Sequence, residues 1–303
     1  MPQLPVTQPL GGPSVSGTSI TVDVLTKPVT RIAPIIRDLV RENEGYFAED
    51  IFNTPGMTIQ GGAVIYQETF PEDHFLDPDQ SIAPRAPGSE APIVGAFRGA
   101  PKIARPESWA GQIEVTDEAR RRNDVATVQA AFRKAANTFA DRIQTRAVET
   151  LNTAITAWGR TISGGNWRAA LTNGPVNADP LTLPHRDFSL VLTQFANDKA
   201  GVRPDLIIMH PDDAFYLDVI YGEKLPALFD RYNLTPLVSP EQTEGQVIFA
   251  KRGQVGTMAF EKPLDTEYER LGRRKTDAYI LEATPVFVAI DAASVIRLEG
   301  VDS

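Results

Sequence analysis

The chain has no cysteine, so disulfides and thiolate metal sites are excluded. That absence fits assembly in a reducing cytoplasm. Histidine is nearly as scarce: His74, His185 and His210 lie far apart in sequence and make no local metal-binding motif. No stretch approaches the roughly 20 consecutive apolar residues that cross a bilayer. The first residues, Met1-Pro2-Gln3-Leu4-Pro5, lack the basic and apolar regions of a secretory signal. Positive charge is in deficit, with 30 Lys and Arg against 39 Asp and Glu for a net charge of −9. Sequence-independent DNA binding relies on clustered cations neutralising phosphates, so this chain makes a poor DNA reader. An acidic subunit suits a container wall, where sticking to an enclosed polyanion is a drawback.

What is present is ample for a folded protein. The 303 residues make one elaborate domain or two modest ones, and 42% hydrophobic content supplies a substantial core. The front of the chain is different. Residues 1–30 carry five prolines and three glycines and read as an extended arm, within which Ser19 to Leu25 alternates as a short strand. Pro34 to Val40 suggests a short helix or turn. From Pro55 to Pro106 the pattern is of strands joined by turns: Gly61 to Phe70 has strand composition, and Ile93 to Phe97 is the expected return strand. A two-stranded excursion cannot bury both of its faces, which calls for a partner surface on another subunit.

Ile113 to Glu118 then reads as a strand running into a helix, with Thr116 as the cap and Asp117 and Glu118 at the positive end. Apolar residues recur every three or four positions at Val125, Val128, Phe132, Ala135, Phe139, Ile143, Ala147, Leu151, Ile155 and Trp158. This predicts one helix from Thr116 to Trp158, about 60 Å long at 1.5 Å per residue. Residues 159–184 look loop-like. A compact α/β pattern follows, with a helical stripe at Phe188, Val191, Leu192 and Phe195 and a buried strand at Leu206 to Met209. Strands are expected at Val247 to Ala250, Gly256 to Phe260, Ala278 to Ile290 and Ser294 to Leu298.

The most enzyme-like cluster is His210-Pro211-Asp212-Asp213, at a strand-to-helix junction where α/β enzymes place polar groups. There His210 would be a base and Asp212 or Asp213 a metal ligand. Capping and the helix dipole explain the same residues without chemistry. Gly61-Gly62 and Gly164-Gly165 lack phosphate-loop spacing, and Ser163 lacks a nucleophile elbow. The basic run Arg270 to Lys275, flanked by Glu267, Glu269 and Asp277, reads as a solvated hairpin or a salt-bridged contact. No cofactor site emerges.

In the order of these elements the chain resembles the major capsid proteins of tailed bacteriophages, the Hong Kong 97-like fold. The likeness rests on Ile113 to Glu118 leading into the helix that ends at Trp158, on Pro204 to Pro211 with the helix Asp212 to Tyr221, and on Tyr279 to Leu298. It implies an α+β fold with an N-terminal arm (1–45), an extended loop (46–106), a peripheral domain with the spine helix (107–185), an axial domain (186–262) and a return to the peripheral domain (263–303). It also implies pentamers and hexamers of identical subunits, an icosahedral shell around double-stranded DNA, and assembly in a host bacterial cytoplasm into a virion. Expected partners are a portal protein, a scaffold, a decoration protein and the packaged DNA through non-specific contact, with no membrane and no cofactor. The residues expected at subunit interfaces are Ile65, Tyr66, Phe70, Phe97, Arg273 and Arg274. Some members crosslink through a lysine of the extended loop, but residues 28–101 contain none. No long charged helical segment precedes the arm, so the scaffold is expected to be separate or already removed. The rival readings are an encapsulin-type shell, a hydrolase using His210 and Asp212, and a tail or other virion structural protein.

Overall fold

The computed structural model describes residues 34, 38, 47–56, 58–75, 88, 90, 99–170 and 183–302. The strand expected at Ser19 to Leu25 and the return strand at Ile93 to Phe97 lie outside them. Of the helix expected over Pro34 to Val40, Pro34 and Asp38 are described, and both are helical.

In chain order the elements are α1 (Ala48–Ile51), β1 (Phe52–Asn53), β2 (Val64–Tyr66), β3 (Lys102–Ala104), β4 (Trp109–Thr116), α2 (Asp117–Arg121) and α3 (Val125–Trp158). They continue as β5 (Thr161–Ser163), α4 (Pro184–Asn197), β6 (Leu206–Met209), α5 (Pro211–Tyr221), α6 (Leu225–Tyr232), β7 (Thr235–Val238) and β8 (Gln246–Ala250). Three long or closing strands end the chain: β9 (Gly256–Leu271), β10 (Thr276–Ala289) and β11 (Val295–Glu299).

The long helix is two helices. Thr116 does cap the first, its hydroxyl accepting from the Ala119 amide at 3.1 Å, but α2 stops after five residues. Asn123 then takes a left-handed conformation at φ +51°, and the Asp124 carboxylate caps α3 by accepting from the Thr127 amide. Asn tolerates that conformation and Asp is a strong cap, so together they reset the helix where a periodicity count runs straight on. With 34 residues, α3 is about 51 Å long rather than 60. It ends at Gly159, whose left-handed φ of +66° lets its amide close back on the last turn.

That one helix serves two sheets. Its first half, through Val128, Phe132, Ala136 and Phe139, packs on Ile113, Val115, Tyr279 and Leu281 of a four-stranded sheet ordered β1-β9-β10-β4. Its second half, through Ile143, Ala147, Leu151 and Ile155, packs on Leu206, Ile208, Ile248 and Val295 of a five-stranded sheet ordered β5-β11-β8-β6-β7. The far face of the five-stranded sheet is covered by α4, α5 and α6, where Phe188 meets Trp167, Phe229, Tyr232 and Phe249 ring to ring. Strands β6 and β8 are thus buried on both sides, which is why they read as unbroken apolar runs.

Within the stretch 159–184, residues 159–170 are less loop-like than their composition suggests. Strand β5 pairs with β11, and Trp167 is fully buried with its indole N–H donated to the Asp187 carboxylate at 2.8 Å. Strand β9 extends well past the expected Phe260 and forms with β10 a long antiparallel hairpin turning at Gly272–Lys275. Gly256 sits where β1, β9 and β10 meet, and a side chain there would run into the Val288 carbonyl.

Candidate assembly surface

The expected strand Gly61 to Phe70 is real over only three residues. Gly61 and Gly62 adopt left-handed φ values of +91° and +69° and form a turn, leaving β2 as Val64–Tyr66. Its partner among the described residues is β3, antiparallel, in the register Val64 with Ala104, Ile65 with Ile103 and Tyr66 with Lys102. Sequence reasoning missed Ile103. Lys-Ile-Ala between Pro101 and Pro106 is too short to show a period.

This ribbon is rooted in the body of the protein but does not lie flat on it. The Thr69 amide donates to the Ile290 carbonyl at 2.8 Å, and the Ala292 amide donates to the Thr69 carbonyl at 2.9 Å. Lys102 Nζ pairs with Glu68 at 2.6 Å. Between the ribbon and the β9–β10 hairpin a cavity of about 240 Å³ remains, walled by Val64, Tyr66, Thr257, Ala259, Val286 and Val288. On the outer side, Ile65 and Ile103 stand side by side, 71% and 66% exposed. Cross-strand neighbours are in side-chain contact, so the two make one apolar spot. A monomer gains nothing from it.

Of the other expected interface residues, Tyr66 and Phe70 are half-buried at the root of the same ribbon. Phe97 lies outside the described residues. Arg273 and Arg274 sit at the hairpin turn, both exposed, with Arg274 reaching Glu114 at 3.4 Å. The set therefore falls into two regions, ribbon and hairpin tip.

Beneath that tip is a charge cluster. Arg270 bonds both carboxylate oxygens of Asp117 at 2.7 Å and also Asp277 at 2.7 Å. The Tyr268 hydroxyl donates to that same Asp277 oxygen at 2.8 Å, and Arg120 pairs with the other one. Asp277 is buried, while both arginines keep more than a third of their side chains in water. The Arg270 hydrogen bonds hold the Asp117 carboxyl below its usual range. The cluster ties α2 to the hairpin.

The His210 cluster has a structural job. His210 is the cap of α5, its Nδ1 accepting from the Asp212 amide at 3.2 Å. Asp212 is largely exposed and 3.4 Å from the same nitrogen. Asp213 turns inward, fully buried, and accepts from the Gly245 amide with both oxygens at 3.2 and 3.3 Å. Burial raises its pKa to about 6 against that hydrogen bond, and the nearby Asp302 and Glu244 add to the rise. Among the described residues no three His, Asp or Glu side chains converge to hold a metal ion.

The profile of the phage capsid protein family matches residues 99–298, which take in all of α3 and the strands β3 to β10, with β11 up to Leu298. The chain belongs to the phage capsid protein family. Comparison with curated proteins gives no match. Solved structures show the fold. A phage-related protein from Bordetella bronchiseptica superposes with a TM-score of 0.59 at 12% identity, covering 89% of this chain and 97% of that one. A virus-like particle from Pyrococcus furiosus gives 0.56 at 13% identity, covering 88% and 98%. The capsid structure of cyanophage P-SCSP1u gives 0.55 at 12% identity, covering 85% and 89%. The chain has the α+β, Hong Kong 97-like fold of tailed-phage major capsid proteins, and it is a structural protein. No described helix is long and apolar enough to cross a membrane.

Proposed function

We propose that this chain is the major capsid subunit that assembles, as pentamers and hexamers of itself, into an icosahedral shell around the double-stranded DNA of a tailed phage. The observation that carries this reading is the rooted ribbon with its outward Ile65–Ile103 pair. Apolar surface held out on a short ribbon stabilises nothing until a neighbour covers it, and each isoleucine fully covered contributes about 1.5–3 kcal/mol. Repeated around closed rings, weak contacts of this kind reinforce one another. In this reading residues 1–45 are the arm, 46–106 the extended loop, 107–185 with 263–303 the peripheral domain, and 186–262 the axial domain, to whose sheet β5 and β11 contribute. Ile65, Tyr66, Phe70, Phe97, Arg273 and Arg274 belong to subunit interfaces. Portal, scaffold and decoration proteins are the expected partners, the virion the destination and the host cytoplasm the site of assembly.

The capping role of His210 and the inward turn of Asp213 favour this over a hydrolase. The likeness to the Pyrococcus furiosus virus-like particle supports a second reading, an encapsulin-type shell that encloses protein. Negative-stain microscopy of the purified chain, followed by analysis of the particle contents, tests both. Closed shells free of any cargo protein are expected. Shells filled with a cargo protein favour the second reading, and a discrete monomer at every concentration overturns the two together.

A further inference from the structure

The four-stranded sheet has two edges that differ in kind. The outer edge of β9 beyond Phe260 runs Glu261-Lys262-Pro263-Leu264-Asp265-Thr266-Glu267, a proline among charges that blunts strand pairing. Strand β4, at the opposite edge, has no such guard. All eight of its residues pair inward with β10, and among the described residues no strand covers its outer side. Its sequence, Trp-Ala-Gly-Gln-Ile-Glu-Val-Thr, contains no proline or lysine.

Beside this edge, between β4 and α3, lies an open cavity of about 840 Å³. Gly111, Ala131, Ala135, Leu281 and the Phe139 ring give it an apolar part, and Lys134 and Arg142 of α3 line it as well. Trp109, Gly111, Ile113 and Val115 share the helix-facing side of β4 by alternation, and Gly111 is the one without a side chain. A Cβ placed there would meet only the Phe139 ring, at 3.9 Å, and the backbone is not left-handed. The glycine is therefore not required by its own fold. A glycine in a strand marks the close approach of another backbone.

Deepening the shell reading on which it rests, we infer that the Ser19 to Leu25 segment of a neighbouring copy adds as a strand to the outer edge of β4, with Ile20, Val22 and Val24 seated in this groove. The segment has the right length, seven residues against the eight of β4, and its alternation presents three aliphatic side chains on one face. It is free of glycine and proline and bracketed by Pro13 and Pro28, whereas the other strand-like candidate outside the described residues, Ile93 to Phe97, is interrupted by Gly95. Its reach is sufficient. The amide of Phe47 is pinned to Gln144 of α3 at 3.1 Å, and with the span from Pro34 to Asp38 counted as helix the residues between Leu25 and Phe47 reach on the order of 60 Å, farther than α3 is long. Strand addition satisfies the unpaired edge by main-chain hydrogen bonds, and the alternate pockets fix the register.

The absence of native cysteine makes the test direct. Single-cysteine proteins carrying Ile20→Cys, Val22→Cys or Val24→Cys are each mixed with full-length Ala135→Cys protein and oxidised under assembly conditions. A disulfide-linked mixed dimer is expected from at least one pair. Adding Gly111→Leu to the Ala135→Cys partner fills the groove from its floor. It should lower the cross-link yield by roughly tenfold or more, the loss expected when an aliphatic side chain is denied its pocket, while leaving the melting temperature of the isolated subunit unchanged. No mixed dimer from any of the three, or a bridge that forms only within one doubly substituted chain, overturns the inference. Micrographs of the same samples separate the two claims. Shells without the cross-link sink the strand pairing alone, and cross-linked copies without shells sink the shell reading alone.

Discussion

The five-stranded sheet and the β2–β3 ribbon are built from the same kinds of residue and end in opposite states. Ile208 of β6, in a strand covered on both faces, packs toward α3 and is fully buried, whereas Ile65 of β2 is mostly in water. The difference is what each strand has been given to lie against. The central sheet receives α3 on one side and α4 to α6 on the other, all from its own chain. The ribbon receives two anchoring bonds at its root and a gap behind it. Stability is concentrated where the chain covers itself, and association where it does not.

The sharpest way to break the comparison is to damage the covered side. Phe249→Ala removes a fully buried ring stacked edge-on against Phe188 and should cost about 3–5 kcal/mol, read by chemical denaturation. A loss below about 1 kcal/mol would mean that this sheet is not the stabilising core.

A second test uses pH. Asp213 has a folded pKa raised to about 6 from 3.8, chiefly by burial, so the folded state holds its proton more tightly than the unfolded chain does. Stability from this group is thus fully present below about pH 4, is lost as pH rises through about 6, and stays lost above. Asp213→Asn keeps one acceptor for the Gly245 amide and never ionises. Relative to the native chain it should gain roughly 3 kcal/mol between pH 4 and pH 7, from a shift of about two pKa units. Parallel stability curves for the two proteins would refute the buried-charge account.

The smallest effect belongs to the hairpin tip. Arg274 is 72% exposed and pairs with Glu114 at 3.4 Å, so Arg274→Ala should change subunit stability by less than about 0.5 kcal/mol. If the tip touches a neighbour in the shell, the same change should weaken assembly at raised ionic strength more than at low.

Much of this architecture was legible because period and burial agree. The α3 stripe from Val128 to Ile155, the apolar runs of β6 and β8 and the α4 stripe each sit against a core that the chain itself provides. Legibility failed where a single residue decides. Asn123 and Asp124 break a helix without disturbing the spacing of its apolar residues. Gly61 and Gly62 end a strand that composition alone extends. Long-range partners were invisible for a different reason: β3 is three residues between prolines, and Asp213 is held by Gly245, 32 positions away. On the candidate surface, Ile65 was named and its neighbour Ile103 was not. Strand composition marks the first, and only the register reveals the second.

The central claim is that the outward pair on the ribbon serves association and not folding. Sedimentation velocity on the native chain and on an Ile65→Asp, Ile103→Asp double variant, beside their denaturation curves, tests it most directly. The account predicts that the variant keeps its stability to within about 0.5 kcal/mol, as exposed sites do, while the fast-sedimenting shell boundary of the native protein is replaced by small, discrete species. A variant that forms the same shells as the native chain, or that unfolds before assembly can be measured, would contradict it.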